Sequence, residues 1–342
     1  MHIGIGLDQR LHLSFADQKD LLAEATRLGY QSAWTPHNVT QDGFQICSHW
    51  WRTSAEVSPG GIGTGISVVP VPGWSPVNLA VAAGTVAEHT GGKFILGVGS
   101  GAIYDEKARH QNNWPPLKPI GMMREYLTAL RGLLDGNSVV QEGPAFTVRG
   151  ASLSFKPPRV PIYLGALGPQ MVRLAGELAD GVALNWSSPQ QIAVSREQVA
   201  EGARKSGRDA GEVNIMQYIR ICVDDDEDIA RRAFTKAVLG YAMARPGAST
   251  EHGYRGHFGR MGFESALREL EAMRAHGESE DAIVEAFPRE LLHQVGYYGA
   301  PAGAGAAFKR LAEGLDTAVV RVVSARPGVD SVAAVMRACA PG

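Results

Sequence analysis

Cysteine is scarce: only Cys47, Cys222 and Cys339 occur in 342 residues, far apart and without C-x-x-C spacing. That pattern excludes a disulfide framework and gives no support for a metal site, so a reducing cytoplasm is the expected compartment. Charge of one sign is also missing, since 33 basic and 35 acidic side chains leave a formal net charge of -2 and no basic tract that could track a phosphate backbone. Nucleic acid is not an expected partner. No apolar run reaches the roughly 18 residues of a membrane span, and the chain enters a strand-like pattern at Ile3 with no basic leader before it. No membrane partner is expected either. The patterns G-x-S-x-G, H-E-x-x-H, the P-loop and a full G-x-G-x-x-G are all absent, which argues against serine hydrolases, zinc proteases, triphosphatases and Rossmann sites.

Glycine, by contrast, is abundant: 41 residues, or about 12% of the chain where roughly 7% is usual. The glycines follow no three-residue period and no heptad persists, so collagen and coiled coil are excluded. Short apolar runs alternate instead with stretches of helical spacing. Strands are expected at Ile3–Leu7, Gln31–Trp34, Ile62–Val69, Phe94–Val98, Pro161–Leu164, Gly181–Leu184, Asn214–Val223 and Ala318–Val323. Helices are expected at Phe15–Leu28, Pro76–His89, Met122–Leu134, Pro169–Leu178, Pro189–Lys205, 226–243 and Asp330–Arg337. Eight such strands in one undivided chain favour an α/β fold of the closed (β/α)8 TIM barrel type, as a single domain over 1–342. A hairpin is expected in Gly136–Phe155, and insertions after strands 2, 4 and 7. The first and last are the long excursions Asn38–Gly61 and Ala244–Gly305, the last of them a helical cap.

Active sites of such barrels lie at the C-terminal ends of the strands. Gly165-Ala166-Leu167-Gly168-Pro169-Gln170 runs from a strand straight into a helix whose N-terminus could receive a phosphate, or could be a bare tight turn. Gly97 to Gly101 is similar and carries the Ser100 hydroxyl. His37 follows strand two, where it could hydrogen bond a substrate, act as a general acid or serve structure alone. Trp50 and Trp51, with His49, could wall a planar ligand or anchor a loop. Asp224-Asp225-Asp226-Glu227-Asp228 is read as a solvated helix start rather than a metal site.

The segment from Gly165 through Met171-Val-Arg-Leu-Ala-Gly-Glu-Leu-Ala-Asp180 to Asn185 resembles the fifth and sixth barrel units of the bacterial-luciferase-like flavin and deazaflavin oxidoreductases. It is especially similar to the branch containing methylenetetrahydromethanopterin reductase, which uses the deazaflavin coenzyme F420. Gly63-Thr-Gly-Ile-Ser-Val-Val-Pro-Val71, Asn78 to Glu88 and Gly91-Gly-Lys-Phe-Ile-Leu-Gly-Val-Gly-Ser-Gly101 extend the likeness over strands three to six.

The resemblance implies a non-prolyl cis peptide at Ser67-Val68 that backs the cofactor ring and a phosphate-binding turn at Gly165–Gln170. It also implies cofactor contacts at Gly99, Ser100 and Asp105, and His37 beside the redox carbon. Relatives that oxidise sugar phosphates carry acidic residues where this chain has Pro36 and Ala102, so that activity is not carried over. The implied function is hydride exchange between coenzyme F420 and a small organic substrate, in a homodimer. The alternatives are an FMN-dependent monooxygenase, separable by oxygen consumption because deazaflavin lacks the oxygen-activating nitrogen, and a non-catalytic cofactor-binding protein. The strand-mouth glycines are then read as making room for a cofactor against the backbone.

Overall fold

The computed structural model describes residues 1–37, 41–103, 105–245 and 249–341. The first half contains β1 (His2–Gly6), α1 (Phe15–Arg27), β2 (Ser32–Thr35), α2 (Gly43–Val57), β3 (Gly63–Pro70), α3 (Pro76–His89), β4 (Phe94–Gly99), α4 (Glu106–Asn112) and α5 (Pro119–Leu134). Next come β5 (Val139–Glu142), β6 (Thr147–Ala151), β7 (Ile162–Gly165), α6 (Pro169–Leu178), β8 (Gly181–Asn185), α7 (Pro189–Lys205), β9 (Asn214–Val223) and α8 (Glu227–Ala242). The chain ends with α9 (Gly253–Phe258), α10 (Glu264–Ala275), α11 (Glu280–Ala286), α12 (Arg289–Val295), β10 (Gly296–Gly299), α13 (Pro301–Leu311), β11 (Thr317–Val322) and α14 (Val329–Ala338).

Eight parallel strands close a barrel in the order β1-β2-β3-β4-β7-β8-β9-β11, with β11 returning to β1. The helices start where the sequence offers stops and caps. Ser14 and Asp17 form a reciprocal capping box on α1, and Ser75 and Ser188 cap α3 and α7 ahead of a proline in the first turn. Alternation along each strand divides the barrel into two rows. Ile5, Ala33, Ile66, Leu96, Leu164, Val182, Ile219 and Val320 pack outward against the helices. Trp34, Tyr163, Ala183, Met216, Tyr218 and Val319 fill the interior.

Three expectations are corrected. Residues expected as an insertion after strand two hold α2, which packs on α1, α3 and β3 as a regular barrel helix; Asn38, with which that excursion begins, lies outside the described residues. Trp50 is buried on α2 and donates Nε1–H to Gln18 at 3.0 Å, and the His49 ring stacks edge-on against Phe15, so these rings anchor α2 rather than wall a ligand.

The second correction concerns Ala244–Gly305, which passes through 246–248, also outside the described residues. It holds the expected helical pieces and in addition a strand, β10, paired parallel with the outer end of β9 from Gly296↔Arg220 to Gly299↔Val223. Gly296 is required there because a Cβ would stand 2.3 Å from the Phe234 ring and 2.5 Å from the Arg220 carbonyl oxygen.

The third correction concerns the strand glycines. A Cβ on Gly97 would meet the Ile66 carbonyl oxygen at 2.3 Å, and on Gly99 or Gly165 it would meet Val68 at 2.8 or 3.0 Å. One on Gly65 would meet the Trp34 ring at 2.4 Å. These glycines accommodate the protein's own interior side chains and the bulge in β3. The expected hairpin is present as β5–β6, antiparallel, beside α5.

Candidate active site

The β3 strand carries the Ser67–Val68 bulge. Its peptide bond is cis, and the pairing with β4 skips from Ile66↔Leu96 to Val69↔Val98. The skip turns Ser67 and Val68 out of the regular ladder at the C-terminal end of the barrel. Around this point the structure brings together His37 after β2, Gly99 and Ser100 at the end of β4, and Gly165 and Ala166 at the end of β7.

His37 is half-buried between aromatic rings, edge-on to Trp74 at 5.4 Å and tilted against Phe44 at 5.6 Å. Its loop is pinned from the other side by Gln9, whose Nε2 donates to the carbonyls of Pro36 and Gln41, each at 3.0 Å. The backbone N–H of Gly43 donates to His37 Nδ1 at 3.2 Å. That bond places the remaining ring proton on Nε2. Burial lowers the pKa of the ring, against a smaller opposing pull from Asp42, so the neutral Nε2–H form prevails at neutral pH.

At α6, Gly168 is the N-cap, no side chain caps the first turn, and a Cβ on Gly168 would meet nothing within 4 Å. Leu167 is half-buried, Pro169 and Gln170 are exposed, and the Leu167 carbonyl accepts from Arg260 at 3.4 Å. An open helix N-terminus with a guanidinium close by suits an anion. Asp105 stands differently from the other expected contacts. One carboxylate oxygen caps α4 through the Ala108 N–H at 3.1 Å and the other pairs with Arg245 at 3.2 Å, tying the loop after β4 to the long insertion. Among the described residues Ser100 donates to the adjacent Gly101 carbonyl alone, at 3.4 Å.

The interior rows bring up further residues that sequence reasoning missed. Two positions beyond Ala183, Tyr218 and Val319 come Asn185, Arg220 and Arg321, all facing the barrel mouth. Arg321 pairs with Asp8, lies 4.5 Å from the Tyr218 ring, and keeps Nε and Nη1 buried without acceptors. Burial alone would raise the Asp8 pKa, but the Arg321 charge and the Arg10 backbone N–H hold it at about 2. Tyr218 has its hydroxyl buried beside the Ser67 side chain without a hydrogen bond of normal geometry.

Arg220 stacks on Trp186 at 3.6 Å and donates to Asn185 Oδ1 at 2.5 Å, while Asn185 Nδ2 donates to Tyr254 of α9 at 2.8 Å. The signal in the sequence was an arginine interrupting an apolar strand, in Ile219-Arg220-Ile221 and Val320-Arg321-Val322. The acidic run does what was expected of it: Asp226 caps α8, Asp228 pairs with Arg231, and Asp224 pairs with Arg326.

A sequence model of the luciferase-like monooxygenases matches residues 2–318. The chain belongs to that family. It is 38% identical over 173 residues to the 5,10-methylenetetrahydromethanopterin reductase of Archaeoglobus fulgidus, covering 50% of each chain. To the enzyme of the same name from Methanolobus tindarius it is 33% identical over 228 residues, covering 64% of this chain and 65% of that one. The matches thus span half to somewhat under two thirds of these relatives.

Among solved structures, the coenzyme F420-dependent tetrahydromethanopterin reductase of Methanopyrus kandleri superposes with a TM-score of 0.77 at 22% identity, over 99% of this chain and 98% of that one. That likeness places the whole family member, insertion included, on the same barrel. Among the described residues no helix is long and apolar enough to cross a membrane.

Proposed function

We propose that this family member is a coenzyme F420-dependent oxidoreductase, exchanging a hydride between the deazaflavin ring and a small, conjugated organic substrate. The observation that carries the reading is the open N-terminus of α6 sharing one barrel mouth with the Ser67–Val68 bulge and His37. The names of the two methanopterin-reductase relatives support the choice of cofactor.

The residues present fit such a group. Gly168 leaves space where a phosphate would approach the first turn of α6, with Gly165, Ala166, Leu167, Pro169 and Gln170 forming the turn itself. The buried, unpartnered Tyr218 hydroxyl beside Ser67 is a partner for a polar ring edge. Ser67 and Val68 would back the ring, with Gly99 and Ser100 beside its side chain; Asp105, capping α4 and paired with Arg245, would border the cofactor at its polar end. The bound deazaflavin supplies the hydride chemistry.

What the protein adds is position and polarity. Neutral His37 presents Nε2–H as a hydrogen-bond donor to an oxygen that gains negative charge, and its ring is held by Gly43, Phe44 and Trp74 so that no reorientation is needed. Donation rather than full proton transfer follows from the tautomer, because loss of the proton from a neutral imidazole would leave an imidazolate.

The same reading takes the protein to be a homodimer of one barrel domain in a reducing cytoplasm, where its three free, buried cysteines would stay reduced. Titration of the purified protein with coenzyme F420 and with FMN checks the cofactor: binding of coenzyme F420 is expected. Micromolar affinity for FMN with none for coenzyme F420 would replace this reading with a flavin monooxygenase.

A further inference from the structure

A cavity of about 600 Å³ opens where the segments after β1 and β11 meet the outer end of β9 and α8. That is within the range of about 300–1,000 Å³ usual for small-molecule sites. Its wall carries four guanidinium groups, Arg10, Arg220, Arg321 and Arg326, against two carboxylates, Asp8 and Asp17, with His12 beside them. Two of the four are committed. Arg326 is held by Asp224 at 2.6 and 3.0 Å, and Arg321 by Asp8. Asp17 turns away to bond Ser14 at the start of α1.

Arg220 and Arg10 have no carboxylate partner among the described residues. Arg220 is 5% exposed, donates among the described residues to the neutral Asn185 alone, and shares the Tyr241 ring with Arg10, each guanidinium 5.4 Å from its centroid. Arg321 is 3% exposed and still has two nitrogens, Nε and Nη1, without an acceptor. A buried cation without a counter-charge is costly unless something neutralises it. Among the described residues no carboxylate stands at ion-pair distance from Arg220; Asp8, the nearest acid in the wall to act on it, is already paired with Arg321.

We propose that this cavity binds the carboxylate of a planar, conjugated organic acid, which is the substrate under the oxidoreductase reading above. The guanidinium fork matches a carboxylate in shape and charge, and the rim of Tyr241 with Leu11, Leu13 and Val323 in the same wall supplies apolar surface for the rest of the molecule. The cavity lies on the β9–β11–β1 side of the mouth, and one of its wall residues, Arg321, packs on Tyr218 next to Ser67. A molecule anchored by its acid group at Arg220 would lie beside Arg321, on the same barrel mouth as the site assigned to the ring.

The test is calorimetric titration of the full chain with benzoate, with inorganic phosphate as a second arm, at low ionic strength. Benzoate is expected to bind more tightly than phosphate, to weaken as salt is added, and to bind equally well with coenzyme F420 present. In Arg220→Met, which keeps the packing on Trp186, affinity is expected to fall at least about tenfold with the circular dichroism spectrum unchanged.

Arg10→Gln alters an exposed side chain and should fold in any case; it is expected to weaken benzoate about threefold. If Arg220→Met does not fold, this second variant decides. The proposal is overturned by absence of benzoate binding, by unchanged affinity in the folded variants, by tighter binding of phosphate, or by displacement of benzoate by coenzyme F420. Because the benzoate arm needs no cofactor, a failure to bind coenzyme F420 with arginine-dependent benzoate binding intact would overturn the cofactor reading alone.

Discussion

His37 shows how much one backbone N–H can decide. With Gly43 donating to Nδ1 at 3.2 Å, the ring carries its proton on Nε2, and burial keeps it from taking a second. His37→Ala is expected to lower kcat by about 10² to 10³, the range for loss of one preorganised donor, while leaving cofactor affinity within a factor of about two. Parallel loss of cofactor binding would instead mark His37 as a wall of the cofactor site. Arg220 and Arg321 illustrate the complementary case. Neither could be assigned a role from its neighbours in sequence, because their meaning comes from which row of the strand they occupy and what lies across the barrel.

At the scale of elements, α6 is exposed at its N-terminus by design of its sequence: glycine at the N-cap supplies no capping side chain, and proline in the first turn has no N–H to satisfy. Gly168 has an ordinary extended backbone and open space at the Cβ position. Gly168→Leu is therefore expected to leave the thermal transition within about 2 °C of the parent and to abolish measurable coenzyme F420 binding in the titration above. Retained tight binding would remove this turn from the cofactor site. The contrast with Gly97 is instructive, since there the space is already filled by the Ile66 carbonyl and a side chain would disturb the β3–β4 pairing itself.

For the molecule as a whole, the insertion between β9 and β11 is packed onto the barrel mouth through its own apolar core and through His257. That imidazole is buried, with Nε2 3.0 Å from the Trp186 carbonyl and 3.3 Å from the Ser187 hydroxyl, while Gln217 clamps Ser187 from the barrel side at 3.0 and 2.9 Å. Burial lowers its pKa to about 4, against the raising effect of the bond to Trp186. The folded protein thus binds fewer protons than the unfolded chain between pH 4 and the ordinary histidine value of about 6.5. Stability from this group is complete above pH 6.5 and is lost as pH falls toward 4, by about 3 kcal/mol. Urea unfolding at a series of pH values should show that slope, and His257→Gln should flatten it; an equal slope in both would place the acid sensitivity elsewhere.

Much of the fold was legible in the sequence. Short apolar runs, capping serines and first-turn prolines are local signals, read over a few residues, and they located the eight barrel strands, the hairpin and most helices. The helices α2, α4, α9, α12 and α13 and the strand β10 were not located, and α2 and β10 show why. The α2 segment has its apolar residues interleaved with rings and polar groups that look like loop anchors until α1 is placed beside them, and β10 is four residues long and becomes a strand only because the outer end of β9 is there to pair with it.

The turn before α6 and His37 were likewise written in contiguous residues, whereas the bulge was expected only through the family resemblance that Gly63–Val71 helps to carry. What only the tertiary structure decided was the tautomer of His37, the commitment of Asp105 to Arg245, the interior rather than ligand-facing reason for the strand glycines, and the meeting of Arg220, Arg321 and Asp8 across residues more than three hundred positions apart in part. Local propensity depends on neighbours in the chain; partner, protonation and charge balance depend on neighbours in space, and those exist only once the barrel has closed.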